Sequence, residues 1–424
     1  RPAKESAMVT PATFTGLEII AAVAFVVPLA LDLLHLRLLP AVVFEVLAGI
    51  VIGPYGLNWV TADEPIQIFS LIGLGFLLFL AGMEVDTTRF RGPLFRRSLL
   101  CFGGTVALAL LVGLLFGVTG LVRTPLFFAN ILVATSLGVI LPPLKGAGEV
   151  DTTFGQLSIL SATLAEFGSL LLLTVLFSSV VVSTPVNLFF LGCFVLLAIG
   201  VSAVVLRAER SKTLSALLVR LSDSTAQIRV RGAWTLLAAF VALAVEGLGL
   251  STILGAFIAG VVIRILDPDE TTRHPQFRMK LDAIGFGVFI PVFFVTIGLQ
   301  FDLPALTSST RALVLVPLFL LALLVVHAVP ALLFRPLLGN MRAYAAGCLQ
   351  ATSLTFILAA VQIGVTLNLI STATSAALTA ASLLSILIFP FTAMLLLRRA
   401  NITESQQAAL AQFDERTVRS ENEL

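Results

Sequence analysis

The chain has 424 residues, of which 58% are hydrophobic and only 12% are charged, and its formal net charge at pH 7 is +2. No soluble core requires so much apolar sequence, so the composition excludes a water-soluble domain and predicts an all-α polytopic membrane protein. Dispersed basic residues exclude a nucleic-acid partner. The 3 cysteines lie in apolar segments and are typical of buried side chains, not of disulfides or metal ligands.

The apolar runs that are long enough to cross a bilayer number about thirteen. The longest polar connection between them is the segment 207–231, and a polar tail follows residue 399. The predicted transmembrane helices are centred on residues 14–34, 39–54, 66–84, 94–118, 126–144, 155–179, 186–206, 233–248, 251–266, 283–301, 312–334, 343–364 and 371–397.

Lysine and arginine are distributed unevenly between the predicted loops. Nearly all of them follow odd-numbered helices, whereas the loops after even-numbered helices hold only Arg123 and Arg311. Because positive loops stay on the cytoplasmic side, this asymmetry places the N-terminus outside and the C-terminus in the cytoplasm. We therefore expect a multi-pass protein of the plasma membrane.

The sequence contains an internal repeat. Three segments of the first half, IGLGFLLFLAGMEVD, VATSLG and AGIVIG, resemble three segments of the second half. Their counterparts are, respectively, IGFGVFIPVFFVTIGLQFD, QATSLT and AGVVIR. An odd number of helices separates the equivalent segments, so the two halves are predicted to be inverted six-helix repeats. The predicted divisions are a first repeat (14–182, helices 1–6), a linker helix 7 with a cytoplasmic loop (183–232), a second repeat (233–398, helices 8–13) and a cytoplasmic tail (399–424).

Two helices are predicted to be discontinuous at corresponding positions of the repeats. Thr135 and Ser136 interrupt the fifth helix, and Thr352 and Ser353 interrupt the twelfth. Free backbone groups inside a membrane are tolerated only where protein or a water-filled cavity satisfies them. We expect the breaks to cross, so that their hydroxyl and carbonyl oxygens form a site for a small cation. The alternative is that these hydroxyls merely bond to the preceding turn of an ordinary helix.

Glu166 lies near the middle of the sixth helix. It follows Gly155 by about 11 residues, which places it ~16 Å into an apolar slab ~30 Å thick. A carboxylate at that depth is costly and by default marks an ion or proton site. Burial also disfavours the charged form, so the group can exchange protons near neutral pH. The alternative is a structural ion pair with a buried base.

His327 is the one strongly internal base of the sequence, in the eleventh helix just before Pro330. An ionised buried carboxylate needs a partner, so His327 is predicted to be a proton partner of Glu166, unless it is only a structural hydrogen-bonding group.

Glu45 is interpreted as structural. Glu246, Asp86 and Asp302 are interpreted as interfacial. No nucleophile–base pair or metal-ligand cluster stands out, so we expect neither an enzyme nor a cofactor.

Five ordered motifs resemble the monovalent cation:proton antiporter superfamily, and more closely its second branch of sodium/proton and potassium/proton exchangers. They are LPAVVFEVLAGIVIGPYGL, FLLFLAGMEVD, ATSLGVILPPLKGAGEVDTTFGQL, LGAFIAGVVIR and FIPVFFVTIGLQFD. The resemblance implies exchange of a monovalent cation for protons by a thirteen-helix homodimer. It also implies a core domain that moves against a dimerisation domain in the manner of an elevator.

The chain departs from this pattern at two places. Ala165 and Glu166 stand where relatives usually carry an acidic pair, and His327 stands where many carry lysine or arginine. One acidic residue in place of the pair implies an electroneutral cycle. Two other readings of the sequence remain: a proton- or sodium-coupled carrier of an organic anion, and an ion channel or a sensor derived from a transporter.

Overall fold

The computed structural model describes residues 14–34, 40–84, 92–177, 226–247, 252–266, 275–307 and 310–422, with isolated positions at 192, 196 and 200. These residues are mostly helical, and no β-strand occurs among them. The first half contains α1 (Thr15–Leu33), α2 (Ala41–Ile52), α3 (Glu64–Met83), α4 (Pro93–Val118), α5a (Pro125–Val133), α5b (Leu137–Gly146) and α6 (Thr153–Phe177).

The second half of the described chain begins with α7 (Ala226–Ala242), which continues into a π-helical turn, Leu243–Gly247. The helix α9 is built from Pro275–Ile284, a π-helical turn Gly285–Phe289 and Ile290–Leu299. The remaining helices are α8 (Thr252–Leu266), α10 (Leu303–Thr307), α11 (Thr310–Ala331), α12a (Arg335–Gln350), α12b (Thr355–Thr366) and α13 (Thr372–Asn422).

The predicted spans correspond to these helices, except for the seventh span (186–206), most of which lies outside the described residues. In the described part of the chain, 8 helical segments are long and apolar enough to cross a membrane. Two further apolar helices are shorter, Ala41–Ile52 and Thr252–Ile265. The protein is therefore a multi-pass helical membrane protein, as its composition predicts.

Both predicted helix breaks are present. The chain leaves α5a at Ala134 and enters α5b at Leu137, and it leaves α12a after Gln350 and enters α12b at Thr355. Ala134 and Ser136 have extended backbone conformations, so the carbonyl groups of one half-helix and the N–H groups of the next lose their helical partners. The breaks coincide with the Thr-Ser pairs that the sequence singles out.

The helices pack as two bundles. One consists of α1–α3 with α7–α9, which we call the scaffold bundle, and the other consists of α4–α6 with α11–α13, which we call the core bundle. The pair α6 and α8 connects them, with Phe167 stacked on Phe257 at a centroid distance of 5.6 Å. Each bundle takes helices from both halves of the sequence.

Two pairs of glycines hold the scaffold bundle together. Gly49 of α2 packs on Gly298 of α9, and Gly82 of α3 packs on Gly260 of α8. A Cβ atom on Gly49 would lie 2.2 Å from the carbonyl oxygen of Val295, so only glycine allows this approach. In the sequence repeat Gly49 corresponds to Gly260, and Gly82 corresponds to Gly298. The two contacts are therefore equivalents of each other, which is how inverted repeats pack.

Candidate functional site

Glu166 faces the start of the half-helix α5b. Its side chain is 5% exposed, and Oε2 accepts a hydrogen bond of 3.1 Å from the backbone N–H of Leu137. Leu137 is the first residue of α5b, where N–H groups have no partner within the helix. The positive end of a helix favours a negative group, so the half-helix stabilises the ionised form of Glu166.

Ser136 caps the other half-helix. Its Oγ accepts hydrogen bonds from the backbone N–H groups of Leu354 (2.9 Å) and Thr355 (3.2 Å), and its own N–H donates to the carbonyl oxygen of Thr352 (2.9 Å). The two breaks therefore cross and are bonded to each other. A carboxylate lies at the N-terminus of α5b, whereas a neutral hydroxyl lies at that of α12b.

Thr135 and His327 lie at the carbonyl ends of the other two half-helices. Thr135 Oγ1 donates to the carbonyl oxygen of Gln350 (2.7 Å), the last residue of α12a. His327 Nε2 is 3.1 Å from Thr135 Oγ1 and 3.3 Å from the carbonyl oxygen of Val133, the last residue of α5a. Its Nδ1 is 2.9 Å from the carbonyl oxygen of Leu323. Both ring nitrogens have oxygen acceptors nearby, so a doubly protonated ring can donate from each.

The structure brings the predicted site residues together, with one difference from the expected geometry. Among the hydrogen bonds of the described residues, none joins His327 to Glu166. Instead the two residues lie at opposite ends of the first break, with Thr135 beside His327 and Leu137 beside Glu166.

Ser353 offers an oxygen that is not otherwise used. Its Oγ is buried and has no hydrogen-bond partner within the described part of the chain. Ser385 Oγ of α13 accepts a hydrogen bond from the backbone N–H of Ser353 (3.3 Å), and it lies 2.7 Å from the carbonyl oxygen of Ser382 and 3.3 Å from that of Ser353, either of which can accept its proton. Thr352 Oγ1, by contrast, is 3.5 Å from the carbonyl oxygen of Cys348. Ser353 is thus positioned by its backbone while its hydroxyl stays available to a ligand.

A cavity of about 430 Å³ lies between the two bundles, at the face where α3 begins and α9 ends. The scaffold bundle contributes Gln67 and Gln300, and the core bundle contributes Gln362 and Thr379. A line of hydroxyl groups runs along α13 from Thr379, in the cavity wall, to the second break. Its next members are Ser382 and Ser385. Sequence reasoning missed this line, although Thr379, Ser382 and Ser385 recur every third residue within an apolar helix.

Three other acidic residues that the sequence singled out, Glu45, Glu246 and Asp302, belong to elements apart from the breaks. Glu45 is 5% exposed in α2 of the scaffold bundle, and Glu246 is exposed in the π-helical turn after α7. Asp302 accepts a hydrogen bond from the N–H of Ala305 at the start of α10. Asp86 lies outside the described residues.

Crossed broken helices that enclose a buried carboxylate, with a cavity between two bundles, are the architecture of a secondary transporter. The family profile described as sodium/hydrogen exchanger, transmembrane, matches residues 21–399. The chain belongs to this family, the monovalent cation:proton antiporters, which are transporters and not enzymes.

Individual relatives agree with this assignment. The Bacillus subtilis protein YjbQ, by name a candidate Na(+)/H(+) antiporter, is 32% identical over 407 residues, which cover 92% of this chain and 64% of YjbQ. A candidate Na(+)/H(+) antiporter of Methanocaldococcus jannaschii is 33% identical over 288 residues, covering 66% of this chain and 70% of that protein. The chain thus spans just under two thirds of YjbQ.

A solved structure has the same fold. The sodium proton antiporter MjNhaP1 from Methanocaldococcus jannaschii, determined at pH 8, superimposes with a TM-score of 0.59. The match covers 91% of this chain and 98% of that one at 15% sequence identity, a level that establishes the fold alone.

Proposed function

We propose that the protein is a secondary active transporter that exchanges a monovalent cation, sodium or potassium, for protons, with Glu166 as the shared binding site. The observation that carries the proposal is the hydrogen bond from Leu137 N–H to the buried carboxylate of Glu166, inside the crossing of two broken helices. The names of the relatives, which refer to sodium and proton antiport, favour the same activity.

Exchange follows from competition for one carboxylate. Either a proton or a cation neutralises Glu166, while the empty ionised group is costly to move through an apolar environment. The core bundle therefore changes position only when the site is loaded. Ser353 Oγ and the backbone carbonyl groups at the breaks add the hard oxygen ligands that small cations prefer.

The cycle is electroneutral in this proposal. Ala165, beside Glu166, cannot titrate, and the N-terminus of α12b faces the neutral hydroxyl of Ser136. One carboxylate then releases one proton for each monovalent cation that it binds. The same occupancy argues against an organic anion as substrate, because Glu166 and Ser136 already fill the half-helix N-termini that would attract one.

Whereas Glu166 lies at the N-terminus of a half-helix, His327 acts at the C-terminal, carbonyl ends of the half-helices. A cation is favourable near carbonyl-terminated helix ends; the histidine lies at that of α5a and reaches that of α12a through Thr135. In this proposal the histidine stabilises the breaks through its contact with Thr135. Its charge changes with pH, and this change alters the energy of the ionised form of Glu166 across the first break.

The remaining features of the proposal are alternating access and assembly. The core bundle moves against the scaffold bundle as an elevator, supported by the cavity that separates them on one face. We further propose a homodimer in the plasma membrane, with the N-terminus outside and the C-terminus in the cytoplasm, supported by the loop charges and the family resemblance.

The test uses the purified protein in proteoliposomes that contain a pH-sensitive dye, with the membrane potential clamped. Adding sodium or potassium should drive proton movement, whereas lithium and organic anions serve as comparisons. Glu166→Gln should abolish the signal, because an amide can neither accept the proton nor bind the cation. Glu166→Asp should lose roughly a hundredfold in rate, since a shorter side chain displaces the carboxylate from Leu137 by about 1 Å.

Glu246→Gln is the matched control, because it removes an exposed carboxylate from the scaffold bundle. It should keep wild-type exchange. Full cation-driven proton movement in Glu166→Gln protein that is folded and reconstituted would disprove the assignment of Glu166.

A further inference from the structure

Carboxylates are the charged groups that line the cavities between the two bundles. The larger cavity, of about 430 Å³, has Asp302 as its one charged lining residue, and a smaller one of about 320 Å³ beside it has Glu64. Three glutamines, Gln67, Gln300 and Gln362, line both cavities. No lysine, arginine or histidine of the described residues lines either of them. The fixed charge of this space is therefore negative.

Asp302 and Gln67 each keep an oxygen atom available to a ligand. Asp302 Oδ1 accepts a hydrogen bond from the N–H of Ala305 (2.8 Å), and its Oδ2 has no hydrogen-bond partner in the described part of the chain. The amide nitrogen of Gln67 donates to the carbonyl oxygen of Ala62 (2.8 Å), which leaves Oε1 as its unused group. Carboxylate and amide oxygens are hard ligands, which suit a small cation.

The core bundle supplies the opposite wall of the larger cavity. Gln362 of α12b and Thr379 of α13 line it, and neither side chain makes a hydrogen bond to another described residue. Thr379 is only 4% exposed, so its hydroxyl is a buried polar group that needs a partner. The cavity has room for several water molecules, so a cation can bind there with part of its hydration shell.

We propose that the larger cavity is a second, transient cation site, in which Asp302, the three glutamines and Thr379 bind a partly hydrated monovalent cation before it reaches Glu166. The inference rests on the proposed function. A fixed negative charge that no basic lining residue offsets raises the local concentration of cations. Thr379 is also the first hydroxyl of the line along α13. The site therefore lies at the start of a polar route to the second break.

This cation site is complete in only one position of the core bundle. Its scaffold wall consists of Gln67 in α3 and of Gln300 and Asp302 at the end of α9, whereas Gln362 and Thr379 belong to the core bundle. Movement of the core bundle as an elevator separates the two walls. A cation bound between them therefore stabilises the conformation described here, and it acts only on the face where α3 begins.

The test measures the apparent KM and kcat for sodium, and then for potassium, in right-side-out and in everted membrane vesicles with a pH-sensitive dye. Asp302→Asn should raise the KM about fivefold in one type of vesicle only, with a smaller change in kcat. In the proposed orientation these are the right-side-out vesicles. Asparagine caps a helix as well as aspartate does, so the start of α10 should be preserved. Gln362→Glu should lower the KM at the same face about threefold.

Glu246→Gln is the control for the loss of a carboxylate. Glu246 is exposed in the scaffold bundle and lines neither cavity, so this variant should keep both constants at both faces. Thermal unfolding in detergent identifies variants that are merely unstable. For these, Thr379→Val is the replacement, because it removes only a hydroxyl, and it should likewise raise the KM at the face where α3 begins.

A double variant distinguishes this cation site from a structural role. Asp302→Asn combined with Gln362→Glu restores the negative charge from the opposite wall, so its KM should return to within about twofold of the wild-type value. Equal changes of KM at both faces, or a double variant that shows no rescue, would overturn the inference. An inactive wild-type protein would instead refute the proposed function. A normal KM in all cavity variants, with an inactive Glu166→Gln, would refute only the cavity site.

Discussion

Glu166 and Glu45 are equally buried, each 5% exposed, yet only one of them lies at the helix breaks. Glu166 accepts a hydrogen bond from the first N–H of α5b. Glu45 lies in the middle of the continuous helix α2, where the backbone N–H groups are already used. At the scale of single residues, the nearby helix end and not the exposed fraction distinguishes the carboxylate of the proposed site from Glu45.

The histidine at the first break gives a prediction about pH. His327→Ala should leave transport present but move its pH optimum upwards. A positive charge near Glu166 favours the ionised carboxylate, so its loss favours the protonated form up to a higher pH. Cation-driven proton flux measured between about pH 5 and 9 tests the shift, a range that includes the ordinary titration of histidine.

His327→Gln is the matched control for this measurement, because an amide can hydrogen-bond to Thr135 but cannot titrate. It should move the optimum as His327→Ala does, but with a smaller loss of rate. If both variants keep the wild-type pH profile, His327 is a structural group and Glu166 works alone.

At the scale of helices, residues of the first break complete the hydrogen bonding of the second, and one backbone bond, from Ser136 N–H to Thr352 O, joins the two breaks directly. Ser136 of the first break caps α12b, and Thr135 binds the last carbonyl group of α12a. Buried N–H and carbonyl groups cost free energy when they lack a partner, so the second broken helix depends on Thr135 and Ser136 of the first. The ends of the first break instead depend on Glu166 and His327.

The glycine contacts of the scaffold bundle give a stability prediction. Gly82→Ala should destabilise the protein by about 1–3 kcal/mol, because the added Cβ would overlap backbone atoms of α8 and force the helices apart. The distance from that Cβ to the carbonyl oxygen of Phe257 would be 2.1 Å. Thermal unfolding of the detergent-solubilised protein measures the effect.

Gly75 is the control on the same helix, since a Cβ there would meet nothing within 4 Å. Gly75→Ala should be neutral or slightly stabilising, because alanine has the higher helix propensity. Equal effects of the two substitutions would show that the close approach of α3 and α8 does not contribute to stability.

At the scale of the whole molecule, a cycle with a single titrating carboxylate should have an exchange rate that does not depend on the membrane voltage. Moving a net charge across the membrane would change the energy by ~2.3 kcal/mol per 100 mV, whereas a one-for-one cycle moves none. Rates in proteoliposomes should therefore be unaffected by potassium–valinomycin potentials when sodium is the driving ion. A steep dependence on voltage would show that a second group, such as His327, carries a proton in the cycle.

Relative movement of the bundles can be tested across the cavity between them. Gln67 and Gln362 line it from the scaffold and core bundles, respectively. A bifunctional thiol reagent that joins Gln67→Cys to Gln362→Cys, in a protein whose native cysteines are replaced, should stop transport. Each single-cysteine variant, treated identically, should remain active. Undiminished exchange in the fully cross-linked protein would contradict an elevator mechanism.

The sequence by itself predicted the spans of the described residues, the positions of both breaks and the repeat, and it placed Glu166 near the middle of its helix. These features depend on local hydrophobicity, on polar residues within apolar runs and on distance along a helix, all of which can be counted from the chain. Thr135-Ser136 and Thr352-Ser353 therefore marked the breaks correctly. The helical boundaries also followed, with two kinds of exception. The helices predicted to start at 233, 283 and 343 begin earlier, at Ala226, Pro275 and Arg335, and the last helix continues beyond its predicted end at residue 397 to Asn422.

Only the tertiary structure decided which residues touch. It assigned Ser136 to α12b, put His327 beside Thr135 without a hydrogen bond to Glu166, and added Ser385, which sequence reasoning had not singled out. Contacts between residues far apart in the chain depend on how helices rotate about their axes and cross. Hydrophobic periodicity specifies neither in a membrane, because lipid and protein interior are similarly apolar and both faces of a helix look alike.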